Sequence, residues 1–246
     1  MARAMSSIGL VGSQGAGHDR IDPSALAERG IRVRLIGEAL TDDVADLAMT
    51  LLQMATRGLL HADAFARSGD WQRGRFDTGE SLVGMTIGIG GLSGRIGQAI
   101  ARRAVASRMI VAGLRRPSNE GLGVPLFDDW LALAEASDVL ALALPGTAGA
   151  RPIISAPELK ALGPKGYLVN VGRGELVDTD ALIEALEQRT IAAAALDVIE
   201  EEPAVPPRLA ALPNVVLSPH IGAATWGART RGAKLAEEEV LAFLGH

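Results

Sequence analysis

Cysteine is absent from the 246 residues, which removes disulfide bonds and thiolate chemistry and leaves the redox compartment unreadable. No basic run is present to track phosphates. The 24 Lys and Arg are outnumbered by 29 Asp and Glu, giving a formal net charge of -5, so nucleic acid is not an expected partner. Long apolar runs are missing too. The opening residues, MARAMSSIGLVG, hold an apolar stretch too short for a signal peptide or a membrane span, so a soluble cytoplasmic protein with no membrane contact is the expectation. Internal repeats and low-complexity tracts are also lacking. The chain is long enough to bury a full core, and small-molecule chemistry is the class these absences leave.

Residues 85–100, MTIGIGGLSGRIGQAI, carry the strongest signal. They specify a short apolar strand at 86–90, a glycine-rich turn at 91–97, and a helix from Arg95 with Ile96, Ala99 and Ile100 on its buried side. That combination suits a dinucleotide. Glycines permit a tight turn, let a pyrophosphate approach the main chain and allow close packing of helix on strand. The helix N-terminus then turns its N–H groups toward the phosphate charge. The candidate cofactor contacts in this stretch are Gly91, Ser93, Gly94, Arg95, Ile96 and Gly97.

Downstream, apolar strands at 109–112, 139–144, 167–171, 192–196 and 214–217 alternate with helices at 128–136, 157–162 and 180–188. Ser155 with Glu158 forms a capping box at the start of the second of these helices. Unbroken apolar strands separated by helices specify an α/β fold, a doubly wound parallel sheet covered on both faces. Upstream lie a strand at 7–13, a short helix at 23–29 closed by Gly30, and a strand at 31–37, too little for a domain. An amphipathic helix follows, with Thr41 as its N-cap and Val44, Leu47, Ala48, Leu51 and Leu52 on its apolar face, extending past Met54 toward Ala66. The segment 68–81 reads as a polar surface connection.

In an open parallel sheet, ligands bind beyond the carboxyl ends of the strands. Arg173 follows one strand, Asp197 follows the next directly with Glu202 a little further on, and His220 follows the last. Each has an ordinary use when taken singly: an exposed turn residue, a turn cap, part of an acidic run, a structural imidazole. Their convergence on one edge of the sheet argues for a site.

The stretches 14–22 (QGAGHDRID), 40–49 (LTDDVADLAM), 84–103, 168–186 (LVNVGRGELVDTDALIEAL), 194–203 (AALDVIEEEP) and 214–225 (NVVLSPHIGAAT) together show the chain's kinship. In that order they resemble the D-isomer-specific 2-hydroxyacid dehydrogenases. The resemblance implies hydride transfer between a nicotinamide cofactor and a small 2-hydroxy or 2-oxo acid. It makes Arg173, Glu202 and His220 the catalytic residues and places Asp197 at the nicotinamide end. The main-chain amides near Ala16 and Gly17, with Arg173, would hold the substrate carboxylate, and Pro145, Val171, Gly172 and Gly222 would add cofactor contacts. His220 would act as general acid, Glu202 would orient its ring, and Arg173 would clamp the carboxylate and polarise the carbonyl. The implied organisation is a partial flavodoxin-like substrate domain at 1–37, a Rossmann-type NAD(P)-binding domain at 38–225 and a C-terminal helix at 226–246 returning toward the substrate domain. A homodimer through the cofactor domain is implied as well.

Three departures from the family pattern sharpen the expectation. Gly91 and Gly94 enclose Leu92 and Ser93, where the family has a single residue. Arg115 and Arg116 stand where NAD-users place an acidic residue, which predicts NADP(H) over NAD(H), with NAD as second choice. The portion preceding QGAGHD is shorter than in the family, so the apolar side chains of Ile8, Leu10, Val11, Val33 and Leu35 are expected to lie uncovered and to favour self-association or poor N-terminal order. The same departure keeps an alternative open, a catalytically impaired NAD(P)-binding module serving as a dimerisation or regulatory protein.

Overall fold

A computed structural model of the protein describes residues 8–13, 21–146 and 151–245. It divides into two compact units, Met1–Val44 with Gly222–His246, and Ala45–Ile221. Among the described residues no helix is long and apolar enough to cross a membrane.

In the first unit, strand β1 (Leu10–Ser13) pairs in parallel with β2 (Arg32–Leu35), Leu10 beside Arg32 and Ser13 beside Leu35. Between them runs helix α1 (Pro23–Ala27), which starts where the Asp22 carboxylate accepts the N–H of Ala25 at 3.0 Å and Pro23 presets the first turn. The long C-terminal helix of this unit, Trp226–Leu244, begins at Thr225, whose hydroxyl accepts the N–H of Ala228 at 2.9 Å. Arg231 on that helix donates to the carbonyl of Ala39 at 3.0 and 3.1 Å and pairs with Asp43, and Glu239 lies 3.6 Å from Arg32 and 3.5 Å from Arg34. Ile8, Leu10, Val11, Val33 and Leu35 are half-buried, a correction to the expectation that they lie uncovered. The physical reason is this helix, whose Phe243 ring packs directly on Gly9.

The second unit opens with most of α2 (Thr41–Arg57) and with α3 (Leu59–Arg67). The expected single helix is broken at Gly58, whose φ of 55° turns the chain left-handed. Thr41 is the first residue of α2 and not its cap: a short 3₁₀ turn, Gly37–Leu40, leads straight into it, and the Thr41 hydroxyl donates back to Gly37.

The sheet strands are β3 (Thr86–Gly90), β4 (Ile110–Leu114), β5 (Leu126–Phe127), β6 (Val139–Leu142), β7 (Tyr167–Asn170), β8 (Ala193–Leu196) and β9 (Val215–Leu217). They form one parallel sheet in the order β5-β4-β3-β6-β7-β8-β9. The helices that cover it are α4 (Arg95–Ala106), α5 (Trp130–Glu135), α6 (Ala156–Leu162) and α7 (Thr179–Glu187), with a short α8 (Pro207–Ala210) before β9. Asp129 and Asp178 cap α5 and α7, and the Ser155–Glu158 box opens α6 as expected.

Both faces of the sheet are dry. Ile87, Ile89, Leu140, Leu142, Leu168 and Ala194 are almost wholly buried, and each large aliphatic side chain removed from water stabilises the fold by roughly 1.5–3 kcal/mol. The strand order reverses at β3, with β4 on one side and β6 on the other. That reversal opens a crevice beyond the carboxyl ends of β3 and β6, where dinucleotides bind in doubly wound sheets.

Candidate active site

The turn after β3 is built for a phosphate-bearing ligand. Gly91 has a φ of 81°, and a Cβ there would stand 2.8 Å from the carbonyl oxygen of Ala143. A Cβ on Gly97 would overlap the carbonyl of Gly91, so the first turn of α4 lies flat against the loop only because Gly97 has none. Gly94, the residue before α4, offers no side-chain cap, which leaves the N–H groups of the first helical turn without a capping side chain. Arg95 and Ile96 begin that turn. These features fit a pyrophosphate.

At the end of β4, Arg115 donates from Nε to Asp128 Oδ1 at 2.7 Å and from Nη2 to the carbonyl of Leu126 at 3.1 Å. Arg116 donates to the carbonyl of Arg115 at 2.8 Å. Pro145 follows β6 and is exposed, whereas Val171 and Gly172, after β7, are buried.

Beyond β7, Arg173 lies in an extended backbone between two glycines. Asn170 fastens this turn, donating to the carbonyl of Arg173 at 2.8 Å and accepting the N–H of Gly172 at 3.0 Å. Gly174 lies so close to the main chain of Ile199 and Glu200 that no side chain fits between them. The arginine-bearing turn is thereby seated on the loop that leads to Glu202. The guanidinium of Arg173 donates to the carbonyl of Gly172 at 2.7 Å.

His220 and Glu202 meet directly, Nδ1 to Oε2 at 2.7 Å, and Glu202 Oε1 faces the N–H of Ile199 at 3.4 Å. His220 has a φ of 52°, a strained value for a residue with a side chain. Asp197 holds it there. Only 3% exposed, Asp197 accepts the Ser218 hydroxyl at 2.6 Å and the N–H of Ile221 at 2.9 Å on one carboxylate oxygen, while its main-chain carbonyl accepts the N–H of His220 at 2.9 Å. One buried carboxylate thus spans the whole turn 218–221. Ser218 is the participant that sequence reasoning missed, and its one sign was adjacency to the imidazole-bearing loop.

A cavity of about 200 Å³ lies against Asp197, Glu202 and His220, walled by Ile199, Val205 and Leu217. A larger hollow of about 370 Å³ is lined by Asp178, Asp180, Glu200 and Glu201, whose negative charge would repel an organic acid. Among the described residues no group of His, Asp and Glu has the make-up of a metal site. Gly222 falls in the first unit, and Ala16 and Gly17 lie outside the described residues.

The family model for the NAD-binding domain of D-isomer-specific 2-hydroxyacid dehydrogenases matches residues 49–222. The chain belongs to that family. Its parallel sheet is the Rossmann-type cofactor domain of these enzymes, and the protein is an NAD(P)-dependent oxidoreductase acting between a 2-hydroxy and a 2-oxo acid. The chain is similar to a glyoxylate reductase of Thermococcus gammatolerans, 42% identical over 243 residues that cover 95% of this chain and 72% of that protein. It is similar also to a 2-ketogluconate reductase of Gluconobacter oxydans, 38% identical over 98% of this chain and 77% of the other. Among solved structures, an NADPH-dependent glyoxylate/hydroxypyruvate reductase from Sinorhizobium meliloti, in complex with NADP and malonate, superposes with a TM-score of 0.91. That structure is 43% identical, over 99% of this chain and 76% of the other.

Proposed function

We propose that the protein works as an NADPH-dependent reductase of small 2-oxo acids, with Arg173, Glu202 and His220 as its catalytic residues. The observation that carries the proposal is the 2.7 Å pairing of His220 Nδ1 with Glu202 Oε2. It favours an enzyme over the alternative of a cofactor-binding module, since a module has no use for an imidazole held in a strained backbone by a buried carboxylate. The glyoxylate and hydroxypyruvate specificities of the relatives support a short 2-oxo acid as substrate.

The chemistry follows from the geometry. When bound, the nicotinamide supplies the hydride for the carbonyl carbon. The phosphates of the dinucleotide would be held by the main chain of Gly91, Ser93 and Gly94 and the first turn of α4 at Arg95, Ile96 and Gly97, with Pro145, Val171, Gly172, Asp197 and Gly222 lining its path. With its Nδ1–H donated to Glu202, His220 keeps Nε2 for the substrate. In its charged form it gives the Nε2 proton to the carbonyl oxygen as the hydride arrives, and the product alcohol leaves a neutral imidazole. Arg173 pairs with the substrate carboxylate and draws charge toward the carbonyl oxygen.

The decisive variant is His220→Ala. Positioned acid catalysis contributes about 10² to 10⁴ in rate, so kcat on glyoxylate falls by that order while NADPH affinity, held elsewhere, stays near that of the parent. Near-parental turnover in the variant, on every 2-oxo acid the parent reduces, would remove His220 from the mechanism. The proposal includes a cytoplasmic homodimer joined through the cofactor domain, supported by the exposed apolar side chains of Leu59, Leu60, Trp71 and Val83 on one segment of that domain. A monomer in light scattering would contradict that part alone.

A further inference from the structure

Glu175 has no part in the chemistry proposed above, yet its carboxylate stands beside the arginine assigned there to the substrate. The main chain on either side of it is fixed. Gly174 is wedged against Ile199 and Glu200, while Leu176 is buried and its carbonyl accepts the N–H groups of Ile153 and Ile154, each at 3.0 Å. Glu175 itself is exposed, and its side chain reaches outward. It reaches across to the segment after β6: a Cβ on Gly146 would overlap Oε1 of Glu175 and would stand 3.0 Å from Cγ of Arg173. The two side chains therefore lie together over one glycine. Among the described residues no salt bridge is made by Glu175, so its charge is left to act on what approaches Arg173.

A fixed negative charge beside a cationic clamp repels every anion that comes to it, in proportion to the charge the anion carries. A 2-oxo acid with one carboxylate meets this repulsion once. A second anionic group on the same molecule meets it again, and the guanidinium of Arg173, engaged by the first carboxylate, offers it no matching compensation.

We propose that Glu175 is a specificity-determining residue, a charge filter that holds the site to 2-oxo acids with a single anionic group and disfavours dianions such as 2-oxo dicarboxylates. The inference rests on the reading of Arg173 as the substrate clamp and adds the class of substrate that the clamp admits.

Competitive inhibition of glyoxylate reduction by oxamate and oxalate, at saturating NADPH, tests it, because the two ions are close in size and shape and differ by one charge. At an effective dielectric constant of about 20 to 80, two unit charges about 8 Å apart change an affinity by about twofold to thirtyfold. Glu175→Gln, which keeps the shape and removes the charge, therefore tightens oxalate by at least about twofold more than it tightens oxamate. Glu175→Lys widens that difference, and Glu175→Asp stays near the parent. Raising salt from about 0.02 M to about 0.5 M shrinks it, since mobile ions screen charges at such separations. Turnover follows the same order: Glu175→Gln gains more in kcat/KM on 2-oxoglutarate than on 2-oxohexanoate, whose tail is uncharged. Glu135→Gln removes a carboxylate from the end of α5, on the opposite edge of the sheet, and leaves both inhibitors as in the parent. Equal tightening of the two inhibitors by Glu175→Gln, no tightening, or a difference indifferent to salt overturns the proposal, because Glu175 is then only part of the turn. A parent protein that reduces no 2-oxo acid refutes the reading of Arg173 and the filter with it, a result visible before any variant is made.

Discussion

Gly174→Ala isolates how closely the arginine turn and the glutamate loop must fit. A Cβ at position 174 would fall within the main chain of Ile199 and Glu200, far inside the 3.4 Å at which ordinary contact begins. Neither obstacle is a flexible side chain that could swing aside. The segments must part by about 1 Å or more to regain normal separation, since carbon atoms rest about 3.5–4.0 Å apart. Overpacking of that kind costs about 1–3 kcal/mol, and in a chain of this length each kcal/mol lowers Tm by roughly 2–4 °C. The larger effect is on rate. Arg173 precedes the substituted residue and Glu202 lies just beyond the displaced segment, so the parting moves two of the proposed catalytic groups relative to each other. Misplacement by about 1 Å is enough for a loss of about 10² in rate. Steady-state reduction of glyoxylate at saturating NADPH, thermal melting and cofactor titration together read the outcome: a kcat about a hundredfold lower, a modest drop in Tm and little change in NADPH affinity. Gly74→Ala is the control, because a Cβ there meets nothing within 4 Å. If Gly174→Ala melts and turns over like the parent, the close seating of these two loops has no catalytic meaning.

Ser218→Ala removes a 2.6 Å donor from a buried carboxylate, so it should destabilise the fold by about 1–3 kcal/mol and lower kcat more than it raises KM for the 2-oxo acid. An unchanged kcat would show that the His220 turn keeps its shape without this bond. At alkaline pH the protein should lose stability through Tyr167, whose pKa is raised by burial and, secondarily, by the nearby charge of Glu80. The unfolded chain gives up that phenolic proton at about 10 and the folded chain only above it, so the contribution is complete below about pH 10 and is lost as pH climbs through the folded value. Melting curves of Tyr167→Phe against the parent should converge less steeply from above pH 10, and identical slopes would exclude the phenol.

The parallel strands were legible because continuous apolar runs such as VLAL and AAAL have no polar face to expose, and a sheet covered on both sides is their one stable setting. The Ser155–Glu158 box marked the start of α6, because its side chains satisfy N–H groups that the first turn leaves unpaired. What escaped was short or non-local. β5 has two residues and α8 four, too few for any periodicity to register, and α8 sits in a proline-rich loop that reads as irregular. The break at Gly58 hides in a pattern that is helical on both sides of it. Arg173, Glu202 and His220 could be named from their places after strands, but the bonds that set them, Ser218 to Asp197 and Gly174 against Ile199, join residues far apart in sequence. The arginine pair was visible at 115 and 116; that Asp128 occupies the first of them was not, because the carboxylate arrives from the far side of the β4–β5 connection.

The order of the sheet has a practical corollary. β4 and β5, whose ends carry Arg115, Arg116, Ser118 and Asp128, lie on one side of β3, while β7, β8 and β9, which carry Arg173, Asp197 and His220, lie on the other. Substitutions at sites this far apart, with no shared partners, combine additively. Under the proposed assignment, the tail of the coenzyme and the reacting carbonyl would be served by separately editable halves of one scaffold. On that assignment an engineer could exchange the electron donor by rewriting the β4 turn, or evolution could drift there under a changing supply of reduced coenzyme, and the proposed proton-delivering residues would be inherited intact.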